Sequence, residues 1–78
     1  MQTPEVEQKI QQALPGSKVT AQLEGNHCSV WVVWEGFEGL RAVARQQQVY
    51  APLADVIASG VIHAVNIKAQ TPAEAGAA

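Results

Sequence analysis

The chain has 78 residues, a mass of 8.3 kDa and a hydrophobic fraction of 47%, which indicates one small folded domain and excludes a disordered tail. Its formal net charge of −2 gives the chain no general attraction for nucleic acids or anionic membranes. We expect a cytoplasmic protein, because no apolar run could span a bilayer, the first residues do not resemble a signal peptide and the single cysteine cannot form an internal disulfide.

The N-terminal segment has the pattern of an amphipathic helix. Residues 3–5 combine a hydroxyl cap, a proline at the first helical position and an acid in the first turn. Apolar residues then recur every four positions at Val6, Ile10 and Leu14. Pro15 and Gly16 are expected to end the helix.

Two strands should follow as an antiparallel hairpin. Residues 18–23 alternate between apolar and polar side chains, residues 24–26 form a turn cluster, and residues 28–34 are mainly β-branched or aromatic. If helices cover the face of Val30 and Val32, then Trp31 and Val33 are exposed on the other face. Such an exposed pair is either simple surface coverage or a surface for a partner or a second copy.

The second half predicts two helices and a third strand. Helical spacing joins Leu40, Val43, Ala44 and Tyr50, and a short helix should run from Pro52 to Gly60. Residues 61–69 read as a strand with Val65 and Ile67 on one face. Thr71 to Glu74 could cap a last turn, although we expect about residues 71–78 to fray. The prediction is a single α+β domain over residues 1–78, ordered αββααβ, with a three-stranded mixed sheet and helices on one face.

Four short motifs resemble the BolA-like family in their order along the chain. They are Asn26-His27 before the second strand, Phe37-x-Gly39, Arg45-Gln46-Gln47-x-Val49-Tyr50, and Ile62-His63-Ala64. Gln46-Gln47 is similar to the YrbA-like bacterial branch. The resemblance extends from Val6 to Glu74 and implies a fold similar to the type II KH fold.

The resemblance also implies a function. BolA-like proteins are expected to pair with a monothiol glutaredoxin and to share a 2Fe–2S cluster with it and its glutathione, in cluster trafficking or iron signalling. The histidine of Ile62-His63-Ala64 is the expected ligand, and no cofactor is expected on the isolated chain, which should be a monomer or weak dimer. Without the resemblance, a lone histidine at the start of a strand is usually structural.

The second ligand is less clearly defined. A loop histidine or cysteine has this role in the family, which makes His27 the candidate and Cys28 the alternative; otherwise His27 is a solvated turn residue. Strand alternation turns these two side chains to opposite faces, so Cys28 is a core residue if Val30 and Val32 face the helices. A cluster normally takes four ligands, and this chain cannot supply them all.

A nucleic-acid-binding regulator is the alternative function. Arg41 and Arg45 lie one helical turn apart, and Lys68 could join them as a phosphate contact. Gly36-Phe37-Glu38-Gly39 has the spelling of a KH loop, but it precedes the helix and contains an acid that would repel phosphate. The sequence contains no nucleophile triad, phosphate loop or pair of catalytic acids, so we expect no enzyme activity.

Overall fold

The computed structural model describes residues 3–60 and 62–76 of the chain. Its helices are α1 (Thr3–Ala13), α2 (Ala42–Tyr50) and α3 (Ala54–Ala58), and its strands are β1 (Lys18–Glu24), β2 (His27–Val33) and β3 (Ala64–Gln70). Short 3₁₀ turns at Glu35–Phe37 and Ala51–Leu53 precede α2 and α3. The predicted order αββααβ is confirmed, although Val61, where the third strand was expected to begin, lies outside the described residues. Within the described ranges, no helix is long and apolar enough to cross a membrane.

The sheet has the order β1-β2-β3 and is mixed, as predicted. β1 and β2 pair in antiparallel register, with Glu24 opposite His27, and a two-residue turn joins them. Gly25 has a φ of +61° in that turn, as the first central position of a type II′ hairpin requires. β2 and β3 are parallel, with His27 opposite Ala64, because α2 and α3 carry the chain back between them.

All three helices pack on one face of the sheet. Cys28, Val30 and Val32 alternate along β2 and are buried against them, whereas His27 and Trp31 point to the helix-free face. One apolar core joins the helices to the sheet, and its members with no exposed surface are Val6, Ile10, Cys28, Val32, Phe37, Val49 and Leu53.

The orientation of α2 differs from the expected apolar stripe. Val43 and Tyr50 are exposed, by 67% and 45%, whereas Val49 is completely buried. Arg45, one turn before Val49, also faces inward, with its guanidinium carbon 6.0 Å from the centroid of the Phe37 ring. The stem of an arginine can cover apolar surface while its head is bonded, so the helix turns this residue inward and leaves Val43 outside.

The C-terminal segment is held by hydrogen bonds instead of frayed over residues 71–76. The Thr71 N–H donates to Glu74 Oε1 at 2.9 Å, and the Glu74 N–H donates to Thr71 Oγ1 at 3.2 Å. This reciprocal pair is a capping box, and the Glu74 carboxylate also binds the Arg45 guanidinium. Residues 77–78 lie outside the described residues, so the expectation of fraying is untested there.

The Gly36–Gly39 segment is a packed turn. Phe37 is completely buried, with its ring edge-to-face against Trp34 at a centroid distance of 5.2 Å. Trp34 donates from Nε1 to the Pro15 carbonyl at 2.9 Å. A Cβ on Gly36 would lie 2.6 Å from the Trp34 ring, so glycine is required by close approach and not by a phosphate ligand.

Candidate metal-ligand site

The parallel pairing of β2 and β3 brings the two histidines to one end of the sheet. The His63 N–H donates to the Asn26 carbonyl at 2.8 Å, and the Ala64 N–H approaches the same oxygen at 3.4 Å. His27 begins β2 beside this turn and lies opposite Ala64 in the register. Both histidine side chains are exposed. The backbone that carries them is therefore fixed, while their imidazoles face solvent.

The described residues next to His63 fix its backbone but make no hydrogen bond to its imidazole ring. Ile62 is buried beneath it, with only 1% exposure. On the α3 side, the imidazole Nε2 lies 4.0 Å from the position that a Cβ on Gly60 would take, and Gly60 has a φ of +84°. Among the hydrogen bonds of residues 3–60 and 62–76, none involves either imidazole. Both rings thus keep nitrogen atoms available to a ligand.

Cys28 lies on the other face of the sheet. Its side chain is completely buried, together with Val30 and Val32, so the expectation from strand alternation is confirmed. Burial raises the pKa of the Cys28 thiol, because the thiolate would lose its solvation. A metal requires the thiolate, so the two imidazoles are the accessible donors here and the thiol is not.

The surroundings of His27 are polar. A shallow cavity of about 390 Å³ on the helix-free face is lined by His27, Gln22, Glu24, Ser29 and Asn66. Carboxylate and amide oxygens of this kind can orient the second nitrogen of a ligating imidazole. In the part of the chain that the structure describes, no three His, Cys, Asp or Glu residues form a group that could hold a metal ion.

The three cations proposed for nucleic acid are not on one surface. Arg45 is 14% exposed and paired with Glu74, and its Nε donates to the Leu40 carbonyl at 2.9 Å. Lys68 lies on the helix-free face, with its Nζ 5.4 Å from the centroid of the Trp31 ring. Arg41 is exposed before α2. The predicted stripe is not assembled, because Arg45 is engaged within the fold.

The exposure of Trp31 is confirmed, but other features were not predicted from the sequence. Trp31 is 43% exposed, and its Nε1 donates to Gln70 Oε1 at 2.9 Å; Val33 is half-buried. The role of Asn26 was missed, since its carbonyl, not its side chain, fixes His63. The exposure of Val43 and Tyr50 was not predicted either, because the apolar spacing places both on the packed face of their helix.

Comparison with known proteins agrees with this architecture. The family model described as "BolA-like protein" matches residues 5–74. The Escherichia coli K12 acid stress protein IbaG is 43% identical over 74 residues, which are 95% of this chain and 88% of that protein. A BolA homologue from Coxiella burnetii superposes with a TM-score of 0.84 at 34% identity and 97% coverage of both chains. The BolA domain of SufE1 from Arabidopsis thaliana gives a TM-score of 0.82 at 26% identity, covering 92% of this chain and 93% of that one. The chain belongs to the BolA-like family.

Proposed function

We propose that this protein is an adaptor that pairs with a monothiol glutaredoxin and shares a 2Fe–2S cluster with it, in cluster trafficking or iron signalling. One observation supports the proposal most strongly. The hydrogen bond from the His63 N–H to the Asn26 carbonyl holds an exposed imidazole at the same end of the sheet as the exposed imidazole of His27. No enzyme activity is part of this proposal.

The available donors explain why a partner is required. Iron–sulfur clusters normally take four ligands, most often thiolates, and this chain offers His63 and His27, since Cys28 is buried. The cysteine of a glutaredoxin and the glutathione bound to that glutaredoxin would supply the remaining ligands as thiolates. A cluster held in this way provides a transferable iron–sulfur unit with a one-electron couple, at a higher potential where imidazole replaces thiolate.

The test is reconstitution of the mixed complex. The protein is co-expressed with a monothiol glutaredoxin, and visible absorption and circular dichroism report the cluster. His63→Ala should change the spectrum or shorten the lifetime of the cluster, because a ligand is lost, while far-ultraviolet circular dichroism and melting remain as in the parent protein. Thr20→Ala is the control, because Thr20 is exposed on the same helix-free face but lies outside the cavity beside His27, and it should leave the cluster spectrum unchanged. An unaltered spectrum and lifetime for His63→Ala would contradict the proposal.

A further inference from the structure

The two edges of the sheet are protected to different degrees. At the β1 edge, the Ala21 N–H points away from β2 and donates to Glu7 Oε2 at 2.9 Å, so a carboxylate from α1 covers it. Sheet edges with unpaired backbone groups readily pair with other chains, and proteins usually block them with charges, proline or a covering element. The β1 edge has such a block.

The β3 edge is open along its centre. The Gln70 carbonyl accepts from the Trp34 N–H at 3.0 Å, which turns Gln70 towards β2. Successive residues of a strand direct their N–H and C=O groups to opposite sides. Val65, Ile67 and Ala69 therefore turn theirs outward, away from β2. Arg45 Nη1 approaches the Ala69 carbonyl at 3.4 Å. Among the described residues, the backbone groups of Val65 and Ile67 have no hydrogen-bond partner.

A groove runs between this open edge and α2. Its helical wall has the spacing i, i+3, i+4, i+7, and its volume is about 490 Å³. The lining residues are Val43, Gln46, Gln47, Tyr50, Ala51, Val65 and Ile67. All of them are uncharged, and the exposed Val43 and Tyr50 make the wall partly apolar. A second hollow of about 410 Å³ shares Gln46 and Ile67 and extends the groove to Ala69. Arg45 also lines this hollow, but its guanidinium is paired with Glu74.

We propose that this groove binds an extended, uncharged segment of a partner protein, which pairs with β3 as a fourth strand. The N–H and C=O groups of Val65 and Ile67 alternate as another backbone in extended conformation would require, which is the chemistry of β-strand addition. The lining between Val43 and Tyr50 is uncharged, and Arg45 at the far end is already paired with Glu74, so the groove disfavours a charged segment. From Val65 to Ala69 the edge accommodates about five residues at roughly 3.3 Å each.

The proposal is independent of the cluster. Strand addition uses the outer edge of β3, whereas the histidines lie at its start and at the hairpin turn. Backbone pairing would supply affinity, and the spacing of apolar side chains along the segment would supply specificity. A partner could thus bind this chain whether or not His63 holds a ligand.

Nuclear magnetic resonance with a defined probe tests the inference. The ¹⁵N-labelled protein is titrated into the millimolar range with acetyl-Thr-Val-Thr-Val-Thr-amide, and acetyl-Thr-Glu-Thr-Glu-Thr-amide is the matched charged control. We expect saturable shifts of the Val65, Ile67 and Gln47 amides with the first peptide and none with the second. Ile67→Pro removes the outward N–H at an edge position that tolerates proline and should abolish the Val65 and Gln47 shifts. Ile67→Ala keeps that N–H and should retain most of the response.

Four results would contradict the proposal. One is the absence of saturable shifts at Val65 and Gln47. Another is a response centred on Trp31, which would place the binding surface on the helix-free face. The third is a change in the β3 amides with protein concentration alone, which would make a second copy of the chain the occupant. Equal binding of the two peptides would also contradict the proposed preference for an uncharged segment.

Discussion

Replacing Cys28 by serine tests the assignment of this residue to the core. The side chain has no exposed surface, and the backbone on both sides of it pairs with β1 and β3. A hydroxyl at this site would be buried without a partner, which costs about 1–3 kcal/mol. For a domain of this size each kcal/mol lowers Tm by about 4–8 °C. Cys28→Ser should therefore melt several degrees below the parent protein.

The assay is thermal and urea unfolding followed by circular dichroism. Ser29→Ala is the matched control, since Ser29 is the next residue on the strand but is exposed, and its stability should stay within about 0.5 kcal/mol of the parent. If Cys28→Ser and Ser29→Ala have the same free energy of unfolding, the reasoning from burial is refuted.

Cluster formation by Cys28→Ser and by His27→Ala separates the two loop candidates. Cys28→Ser should still form the cluster with a monothiol glutaredoxin, whereas His27→Ala should weaken the cluster and leave Tm nearly unchanged, because His27 is exposed. The readouts are visible absorption of the mixed complex and melting of the isolated chain. Loss of the cluster in Cys28→Ser together with its retention in His27→Ala would identify the thiolate as the ligand.

Three further predictions concern other parts of the chain. Gly36→Ala should destabilise the protein by about 1–3 kcal/mol, because its Cβ would lie 2.6 Å from the Trp34 ring; urea unfolding measures this, and an unchanged midpoint would contradict it. Arg45 holds the pKa of the Glu74 carboxyl below its ordinary value of 4.5, so the stability from this pair is present above that value and is lost as the pH falls through the lowered pKa. Glu74→Gln should reduce the acid-dependent loss of stability between neutral pH and pH ~3 in urea titrations, and an identical pH profile would refute the linkage. Duplex DNA should bind only non-specifically, with Kd about 10⁻⁴–10⁻⁶ M at physiological salt, and added salt should abolish binding; nanomolar, sequence-selective binding by anisotropy would favour the regulator instead.

The fold could be predicted from the sequence where the spacing of apolar residues matches the residues that are buried. Val6 and Ile10 repeat once per turn and are both buried, and Cys28 to Val32 alternate as a strand with one covered face must. The orientation of α2 could not be predicted in this way. The spacing of apolar residues predicts that Val43, and not Arg45, faces the core. Arg45 faces inward instead, where it pairs with Glu74, 29 positions away in the sequence.

The candidate site was predictable only in part. Strand alternation alone separates His27 from Cys28, and the structure places them on opposite faces. Local pattern does not reveal that His63 binds the turn before His27, because this depends on the parallel register of β2 and β3. The groove beside β3 was unpredicted for a similar reason: the strand order within a sheet, which decides which strand is an edge, is a tertiary property.

The hydrogen bond between His63 and Asn26 closes a long excursion of the chain through α2 and α3. Closing such a loop has an entropic cost, and the two imidazoles share one end of the sheet only while β3 is paired with β2. A ligand that binds both histidines therefore binds this paired state and not a state in which β3 has detached, and it stabilises the paired state by mass action. With such a ligand, occupancy of the site and attachment of the last strand would be thermodynamically coupled. The bound ligand would slow amide exchange along β3, and a substitution that loosens β3 would weaken binding at a distance.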